Sequence, residues 1–169
     1  MPITTLDAKF AYELGSIYDS EHHFLQAQEE MLQQATDSTL RLMLETHIAE
    51  TQQQIVNLEQ IFQELGQAPQ RVACQASSSL VEDARRMLAE VGGNPQIMDT
   101  VMIGAQAKVE HFEIACYRGL VLGAQMMARP EVTRLLQQNL QQEEQTAQLV
   151  EQSAQTLLQQ AIQAQSVGG

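Results

Sequence analysis

The sequence has no tryptophan, only two cysteines and little positive charge. Aromatic residues make up 4% of its 169 residues, and 9 Lys and Arg stand against 21 Asp and Glu, for a formal net charge of −12. A surface of this charge repels nucleic acids and anionic membranes, so neither is expected as a partner. Two isolated cysteines do not form a disulfide framework, which favours a reducing, cytoplasmic location.

Long apolar runs, β-branched runs and a targeting segment are also missing. No apolar stretch approaches the length of about 20 residues that spans a bilayer. Residues 1–10 lack the basic start and the apolar centre of a secretory signal. Ala, Leu, Gln, Glu and Met are abundant, and all of them favour helices. The sequence therefore predicts a single all-α domain over residues 1–169.

Apolar residues recur every three to four positions in four long segments, which is the spacing of amphipathic helices. Asp37 or Ser38 is expected to cap the second helix, and Gly66 to follow its end. Asn94 and Pro95 are expected to begin the third long helix as its cap and first residue. The predicted long helices cover residues 5–35, 38–65, 95–127 and 130–161, and residues 166–169 are expected to fray.

The connections between these helices predict the topology. The first and third connections are short, so each joins an antiparallel pair of helices. The middle connection has roughly 28 residues and is long enough to return along the whole helix pair. Within it, a capping box at Ser79 predicts a short helix over residues 80–91. Four helices with one long crossover are typical of a ferritin-like four-helix bundle.

Five glutamates lie on or beside the apolar faces of the four long helices. One such glutamate alone is explained by a carboxylate that reaches water at the edge of a buried face. Several buried together are costly unless a cation neutralises them. Glutamates on paired helices also lie at one level, since each is about 14 or 15 residues from its turn. The predicted metal ligands are Glu21, Glu50, Glu110, Glu113 and Glu143.

The histidines differ from the best-known pattern of di-iron bundles. Two helices of such bundles carry Glu-x-x-His, and here Gln and Thr occupy the two expected histidine positions. His47 precedes Glu50 by one turn and is expected to bind the metal or to orient a ligand, and Gln54 and His111 are assigned the same supporting role. An oxygen-rich site favours Fe, then Mn, over Zn or Cu.

Several stretches of the chain together match one family pattern. These stretches are Ile17–Glu21, His47–Thr51 with Gln54, Lys108–Ala115, Cys74 and the region of Glu143. Through them the chain resembles the YciE/YciF family of ferritin-like, stress-associated bacterial proteins. The resemblance implies a helical bundle with a rubrerythrin-like di-metal site, a homodimer and no firmly established reaction. It implies the same five glutamates as ligands, and Ala147 departs from the acidic residue expected at that position.

Two functions of different classes follow. In the first, two metal ions are bridged by Glu50 and by either Glu110 or Glu113, with Glu21 and Glu143 as terminal ligands. Such a site is expected to oxidise Fe(II) with O₂ or peroxide in stress defence, as a ferroxidase or peroxidase-like oxidoreductase. In the second, the bundle has a non-enzymatic structural or stress-associated role, and its metal site is structural or vestigial. A ferritin-type storage cage is a third hypothesis, for which the sequence gives no evidence of a closed shell.

Overall fold

Five α-helices and no strand make up residues 3–167, which is the part of the chain that the computed structural model describes. The prediction of an all-α protein is confirmed. Within residues 3–167, no helix is both long enough and apolar enough to cross a membrane. The helices are α1 (Leu6–Gln34), α2 (Ser38–Glu64), α3 (Gln75–Glu90), α4 (Pro95–Met126) and α5 (Pro130–Val167).

The four long helices form a ring in which each packs on two neighbours. Helix α1 packs on α2 and α4, and α5 packs on the same two helices. Helix α3 lies outside this ring, against α1 and α4. Its sequence position, between α2 and α4, makes it part of the long crossover.

The predicted capping residues are found at the helix ends. The side chain of Asp37 accepts two backbone hydrogen bonds at the start of α2, both of 2.9 Å. The side chain of Asn94 accepts one of 3.1 Å from the backbone nitrogen of Ile97, and Pro95 follows it. Gly66 follows α2 with a φ of 69°, a left-handed conformation that glycine adopts without strain.

Helix α3 begins at Gln75, five residues before its predicted start, and the predicted cap at Ser79 is wrong. The serine hydroxyls explain the difference. Ser77 Oγ donates to the carbonyl oxygen of Cys74 at 3.0 Å, and Ser78 Oγ donates to that of Gln75 at 3.1 Å. Hydroxyls that bond to carbonyls of the preceding turn are compatible with a continuing helix, so the serine run lies inside α3.

Helix α5 is also longer than predicted, because it continues past residue 161 to Val167. Residues 166 and 167, expected to belong to a frayed tail, are helical. Gly168 and Gly169, the rest of that predicted tail, lie outside the described residues.

The beginning of the crossover is attached to α1. The carboxylate of Asp19 accepts hydrogen bonds from Arg71 Nε at 2.8 Å and from the backbone nitrogen of Cys74 at 2.9 Å. The backbone nitrogen of Val72 donates to the carbonyl oxygen of Gly15 at 3.0 Å. These contacts hold residues 71–74 directly against the helix.

Replacing Gly15 by Ala should destabilise the protein by about 1 to 3 kcal/mol, the usual cost of overpacking. A Cβ at this position would lie 2.6 Å from Val72 Cγ2 and 2.9 Å from the carbonyl oxygen of Gln70. Gly119→Ala is the matched control, because a Cβ there meets no atom within 4 Å. It should stabilise helix α4 by up to about 1 kcal/mol. Urea unfolding measures both changes, and equal effects of the two substitutions would contradict the close approach at Gly15.

Two apolar clusters fill the ring at different levels. The first takes its residues from 10–18, 55–62, 117–124 and 132–136, and the second mainly from 24–35, 40–44, 102–109 and 150–157. The segments between them on each helix supply a layer of buried polar side chains. Its members include Glu21, His47, Thr51, Gln54, Glu110, Glu113, Asn139, Glu143 and Thr146.

Candidate metal centre

Four side chains from three helices converge in this polar layer. His47 comes from α2, Glu110 and Glu113 from α4, and Glu143 from α5. Each offers one potential ligand atom, and these atoms all lie within 4.8 Å of one another. All four side chains are buried, with exposed fractions of 0 to 2%. A histidine and three carboxylates at this spacing are a chemically suitable donor set for a divalent metal.

The helical repeat explains which residues reach the layer. Glu110 and Glu113 are separated by one turn of α4, so they lie on the same face. In α2 the buried positions include 40, 44, 47, 51, 54 and 58, every three or four residues. That series includes His47, whereas Glu50 falls beside it and is half-buried.

Glu21 brings a fourth buried carboxylate from α1. Its side chain is fully buried, and Oε1 accepts a hydrogen bond from the hydroxyl of Tyr117. Burial raises the pKa of Glu21 to about 7, although hydrogen bonds from Tyr117 and Glu113 act in the opposite direction. The contact with Glu113 connects Glu21 to the four-residue cluster.

Apart from contacts among the acids themselves, each of the four buried glutamates has one oxygen without a hydrogen-bond partner. This oxygen is Oε2 in every case. A buried acceptor without a partner costs free energy, and a bound cation removes that cost. The Oε1 atoms of Glu21, Glu110 and Glu143 accept hydrogen bonds from Tyr117, Gln106 and Gln54 respectively.

His47 lies between two acids. Its Nε2 is 3.1 Å from Glu110 Oε1, and its Nδ1 is 3.5 Å from Glu50 Oε2. Both distances suit ion pairs, but neither contact has the alignment of a hydrogen bond, so both ring nitrogens lack such a partner. Burial lowers the pKa of His47, but the negative charge of Glu110 and the neighbouring Glu50 raise it well above its usual value. Without a cation, a charged His47 therefore balances one carboxylate.

The glutamates respond differently to this environment. Burial raises the pKa values of Glu113 and Glu143 well above their usual range, and the negative charges of neighbouring glutamates raise them further. Burial acts on Glu110 in the same direction and is the largest single influence, but the charge of His47 and the polar contacts with His47, Glu143 and Gln106 together outweigh it, so the pKa of Glu110 is lowered. Without a cation, the shifts therefore favour the protonated forms of Glu113 and Glu143, and an ionised Glu110 opposite a charged His47.

Further polar side chains hold these groups in place. Asn139 Nδ2 donates to the hydroxyl of Tyr117 at 3.1 Å, and Asn57 Nδ2 donates to Asn139 Oδ1 at 2.7 Å. This chain of hydrogen bonds ends at Glu21, which accepts from Tyr117, and such bonds orient the ligands of metal sites. In the same buried layer, Thr51 Oγ1 donates to Gln28 Oε1 at 3.2 Å. None of these supporting side chains was predicted to have that role, although Asn139 precedes Glu143 by one turn, and that spacing places both on the same helix face.

The remaining predicted site residues lie in different places. Glu50 is at the edge of the layer, where its side chain is 28% exposed and Oε2 accepts a hydrogen bond from Thr146 Oγ1 at 3.2 Å. His111 lies on the surface with its side chain 61% exposed, 3.1 Å from Glu151. The structure does not bring His111 to the cluster. The predicted residues that it does bring into the buried layer are Glu21, His47, Gln54, Glu110, Glu113 and Glu143.

Comparison with known families and proteins gives consistent matches over most of the chain. The sequence model of the family described as "Domain of unknown function (DUF892)" matches residues 5–163. Among curated proteins, Protein YciF of Escherichia coli strain K12 is 27% identical over 147 residues, which cover 86% of this chain and 88% of YciF.

Two solved structures share this fold. YcfI from Rhodopseudomonas palustris, whose description suggests a structural role, is 32% identical, with 88% of this chain and 94% of YcfI covered and a TM-score of 0.86. The crystal structure of the E. coli stress protein YciF is 25% identical, with 93% of this chain and 99% of YciF covered and a TM-score of 0.87.

Proposed function

Because the chain belongs to the DUF892 family, whose description assigns no activity, we propose its function from the buried cluster: it is a ferritin-like four-helix bundle that binds two metal ions, with iron as the preferred metal. The resemblance to YciF predicted from the sequence is confirmed by the family match and by both YciF comparisons. The ring of α1, α2, α4 and α5 and the crossover through α3 support the ferritin-like assignment.

The observation that carries this proposal is the set of four buried Oε2 atoms without partners. Buried acceptor oxygens without partners cost free energy, and here they come from three helices. Cations bound by these oxygens would remove that cost. Charge balance supports two ions over one. The four ionised carboxylates of Glu21, Glu110, Glu113 and Glu143 carry 4 × −1 = −4, which two divalent ions balance while His47 is neutral.

The geometry supports different roles for the ligands. The ligand atom of Glu113 lies within 4.8 Å of those of His47, Glu110 and Glu143, and the charges of Glu143, Glu21 and Glu110 all act on it. Of the two glutamates of α4, Glu113 would therefore be the bridging ligand. His47 would bind through Nε2, the nitrogen that faces Glu110. Its Nδ1 faces Glu50. We therefore propose that Glu50 orients the imidazole ring and does not bridge the two ions.

The donor atoms favour iron, with manganese as the alternative. Four carboxylates and one imidazole form an oxygen-rich set that suits these metals better than copper or zinc. Iron bound there would supply electrons for the reduction of O₂ or peroxide, which is the chemistry of a ferroxidase or a peroxidase-like protein. The protein side chains hold the ion positions, and the apolar clusters on both sides of the layer exclude bulk water.

A second candidate function is a structural role in which the metal is not redox-active. The absence of Glu-x-x-His favours it, because Thr146 stands at the histidine position that follows Glu143. The description of YcfI points in the same direction for that protein. The two functions differ in whether bound Fe(II) reacts with an oxidant, not in whether metal binds.

The proposal also includes a cytoplasmic location and assembly as a homodimer. The composition supports the first, since the chain has only two cysteines and neither is in a disulfide. The second is implied by the resemblance to YciF. Sedimentation velocity should give twice the chain mass of 18.8 kDa. A monomer would contradict the dimer and leave the metal proposal unaffected.

Anaerobic titration with Fe(II) followed by addition of O₂ tests the proposed function. Two Fe(II) per chain should bind, and oxidation faster than that of free Fe(II) in the same buffer would support the redox role. Two bound ions without accelerated oxidation by O₂ or by peroxide would favour the structural role. No stoichiometric binding of Fe(II) or Mn(II) would contradict both forms of the metal proposal.

Metal binding should release protons, and the release should decrease as the pH rises. At pH 6, Glu21 with its pKa of about 7 is largely protonated, and the raised pKa values of Glu113, Glu143 and His47 favour their protonated forms, so bound ions should displace protons from these groups. The number should fall as Glu21 ionises near pH 7. Calorimetry in buffers of different ionisation enthalpy measures it. Binding that releases no protons at pH 6 would contradict the assigned ligands.

A further inference from the structure

A surface pocket of about 270 Å³ between α2 and α5 leads to the buried cluster. Leu42 and Leu149 lie at its mouth, with 64% and 54% of their surfaces exposed. His47 and Glu50 also line the pocket, and His47 is a member of the four-residue cluster. The pocket therefore connects solvent to a candidate ligand that is itself 98% buried.

The polar groups of the pocket suit a cation. Its lining contains no Lys or Arg. Oxygen atoms come from the carboxylate of Glu50, from threonine and serine hydroxyls and from the amide of Gln145. His47 supplies a second, independent observation, because both of its ring nitrogens are buried without a hydrogen-bond partner.

Glu50 occupies an intermediate position on this route. Its side chain is 28% exposed, and its Oε2 lies 3.5 Å from His47 Nδ1. A hydrogen bond of 3.2 Å from Thr146 Oγ1 connects this carboxylate to the opposite wall of the pocket. An ion bound by Glu50 would thus be in contact with solvent on one side and next to the buried cluster on the other.

We propose that divalent cations reach the metal centre through the pocket between α2 and α5, and that Glu50 binds the incoming ion before it passes His47. This inference rests on the proposed metal-binding function. A negative group on a path between solvent and a buried site concentrates cations there and accelerates their association. The route also accounts for a partly exposed acid beside a site whose other carboxylates are fully buried.

Stopped-flow uptake of Co(II) tests this route, because the absorption of bound Co(II) reports binding without any turnover. In Glu50→Gln, uptake should slow by about tenfold or more, the scale of electrostatic acceleration. The affinity should also weaken, because Glu50 orients the His47 imidazole, so the association rate, measured separately from release, is the readout for the route. Glu45→Gln is the matched control, because Glu45 is exposed on the same helix and lies outside the pocket lining. It should leave both rates unchanged.

A second pair of variants tests the path without changing an acid. Leu149→Trp fills the mouth of the pocket and should slow Co(II) uptake at unchanged stoichiometry. Leu158→Trp changes an equally exposed leucine of α5 outside the pocket lining, and uptake should keep the wild-type rate.

Three results would overturn the inference. The first is wild-type uptake in both Glu50→Gln and Leu149→Trp. The second is a weaker affinity in Glu50→Gln caused by faster release alone, which would make Glu50 an ordinary ligand. The third is an effect of Leu149→Trp on O₂ consumption but not on Co(II) uptake, which would assign the pocket to the oxidant. Failure of the wild-type protein to bind Co(II), Fe(II) or Mn(II) would instead contradict the proposed function itself.

Discussion

Replacing Glu113 by Gln should abolish stoichiometric metal binding and at the same time stabilise the metal-free protein at pH 8. The gain should be about 1 to 3 kcal/mol, a normal range for a change at a buried charged position. Glu113 is buried among the charges of Glu143, Glu21 and Glu110. A carboxylate that serves to bind a metal destabilises the metal-free fold. Its replacement is therefore expected to improve stability while it removes metal binding.

The pH dependence follows from the direction of the shift. The pKa of Glu113 is raised well above 4.5 in the folded protein. The folded chain therefore keeps a proton that the unfolded chain releases, and stability is lost as the pH rises above 4.5. Glutamine cannot ionise, so the difference between variant and wild type should be small near pH 4.5 and grow towards pH 8.

Urea unfolding of both proteins in the presence of a chelator measures this difference. Glu144→Gln is the matched control, because Glu144 is a partly exposed glutamate on α5 that pairs with Arg118. It should change stability by no more than about 0.5 kcal/mol and leave metal binding intact. A Glu113→Gln protein that is equally destabilised at pH 4.5 and pH 8 would show that the carboxylate has a structural partner.

Replacing Asp99 by Ala should destabilise the protein by about 2 to 4 kcal/mol, because it removes several hydrogen bonds to a buried carboxylate. Asp99 is 3% exposed and accepts from the backbone nitrogens of Thr36 and Asp37, both at 2.9 Å, and from Thr36 Oγ1 at 2.6 Å. These bonds hold the turn between α1 and α2 against the start of α4. They therefore contribute to the alignment of three helices that carry the metal centre.

Thermal and urea unfolding measure this loss. Asp99→Asn retains one acceptor oxygen and should lose roughly half as much stability. Asp83→Ala removes an exposed carboxylate of α3 and should have an effect within about 0.5 kcal/mol. Equal stability of the Asp99→Ala and Asp83→Ala proteins would contradict the structural role of the turn.

Much of the fold could be predicted from local signals because helix ends depend on nearby side chains. Asp37 and Asn94 cap the helices that they were expected to cap. Ser79 failed as a signal because neighbouring serine hydroxyls bond to carbonyls of the same helix. Ala128 has a φ of 54° after α4, a position at which glycine is the usual residue. No sequence pattern indicates that an alanine takes this conformation.

Fewer of the site residues could be predicted, because the site depends on the orientation of each helix about its own axis. His47 and Glu50 are only one turn apart on α2, so both lie near the level of the buried polar layer. The rotation of α2 buries His47 and leaves Glu50 at the edge. The hydrogen-bonded chain of Asn57, Asn139 and Tyr117 likewise joins three helices. Contacts between distant segments of this kind have no local sequence signal.

Anomalous diffraction from crystals equilibrated with Mn(II), recorded above and below the manganese absorption edge, tests the central claim most directly. Two anomalous peaks per chain are expected in the buried layer, with Glu113 in contact with both. Peaks confined to surface acids, or no peak within the layer, would contradict the proposed metal centre. The residues expected around the two peaks are Glu21, His47, Glu110, Glu113 and Glu143.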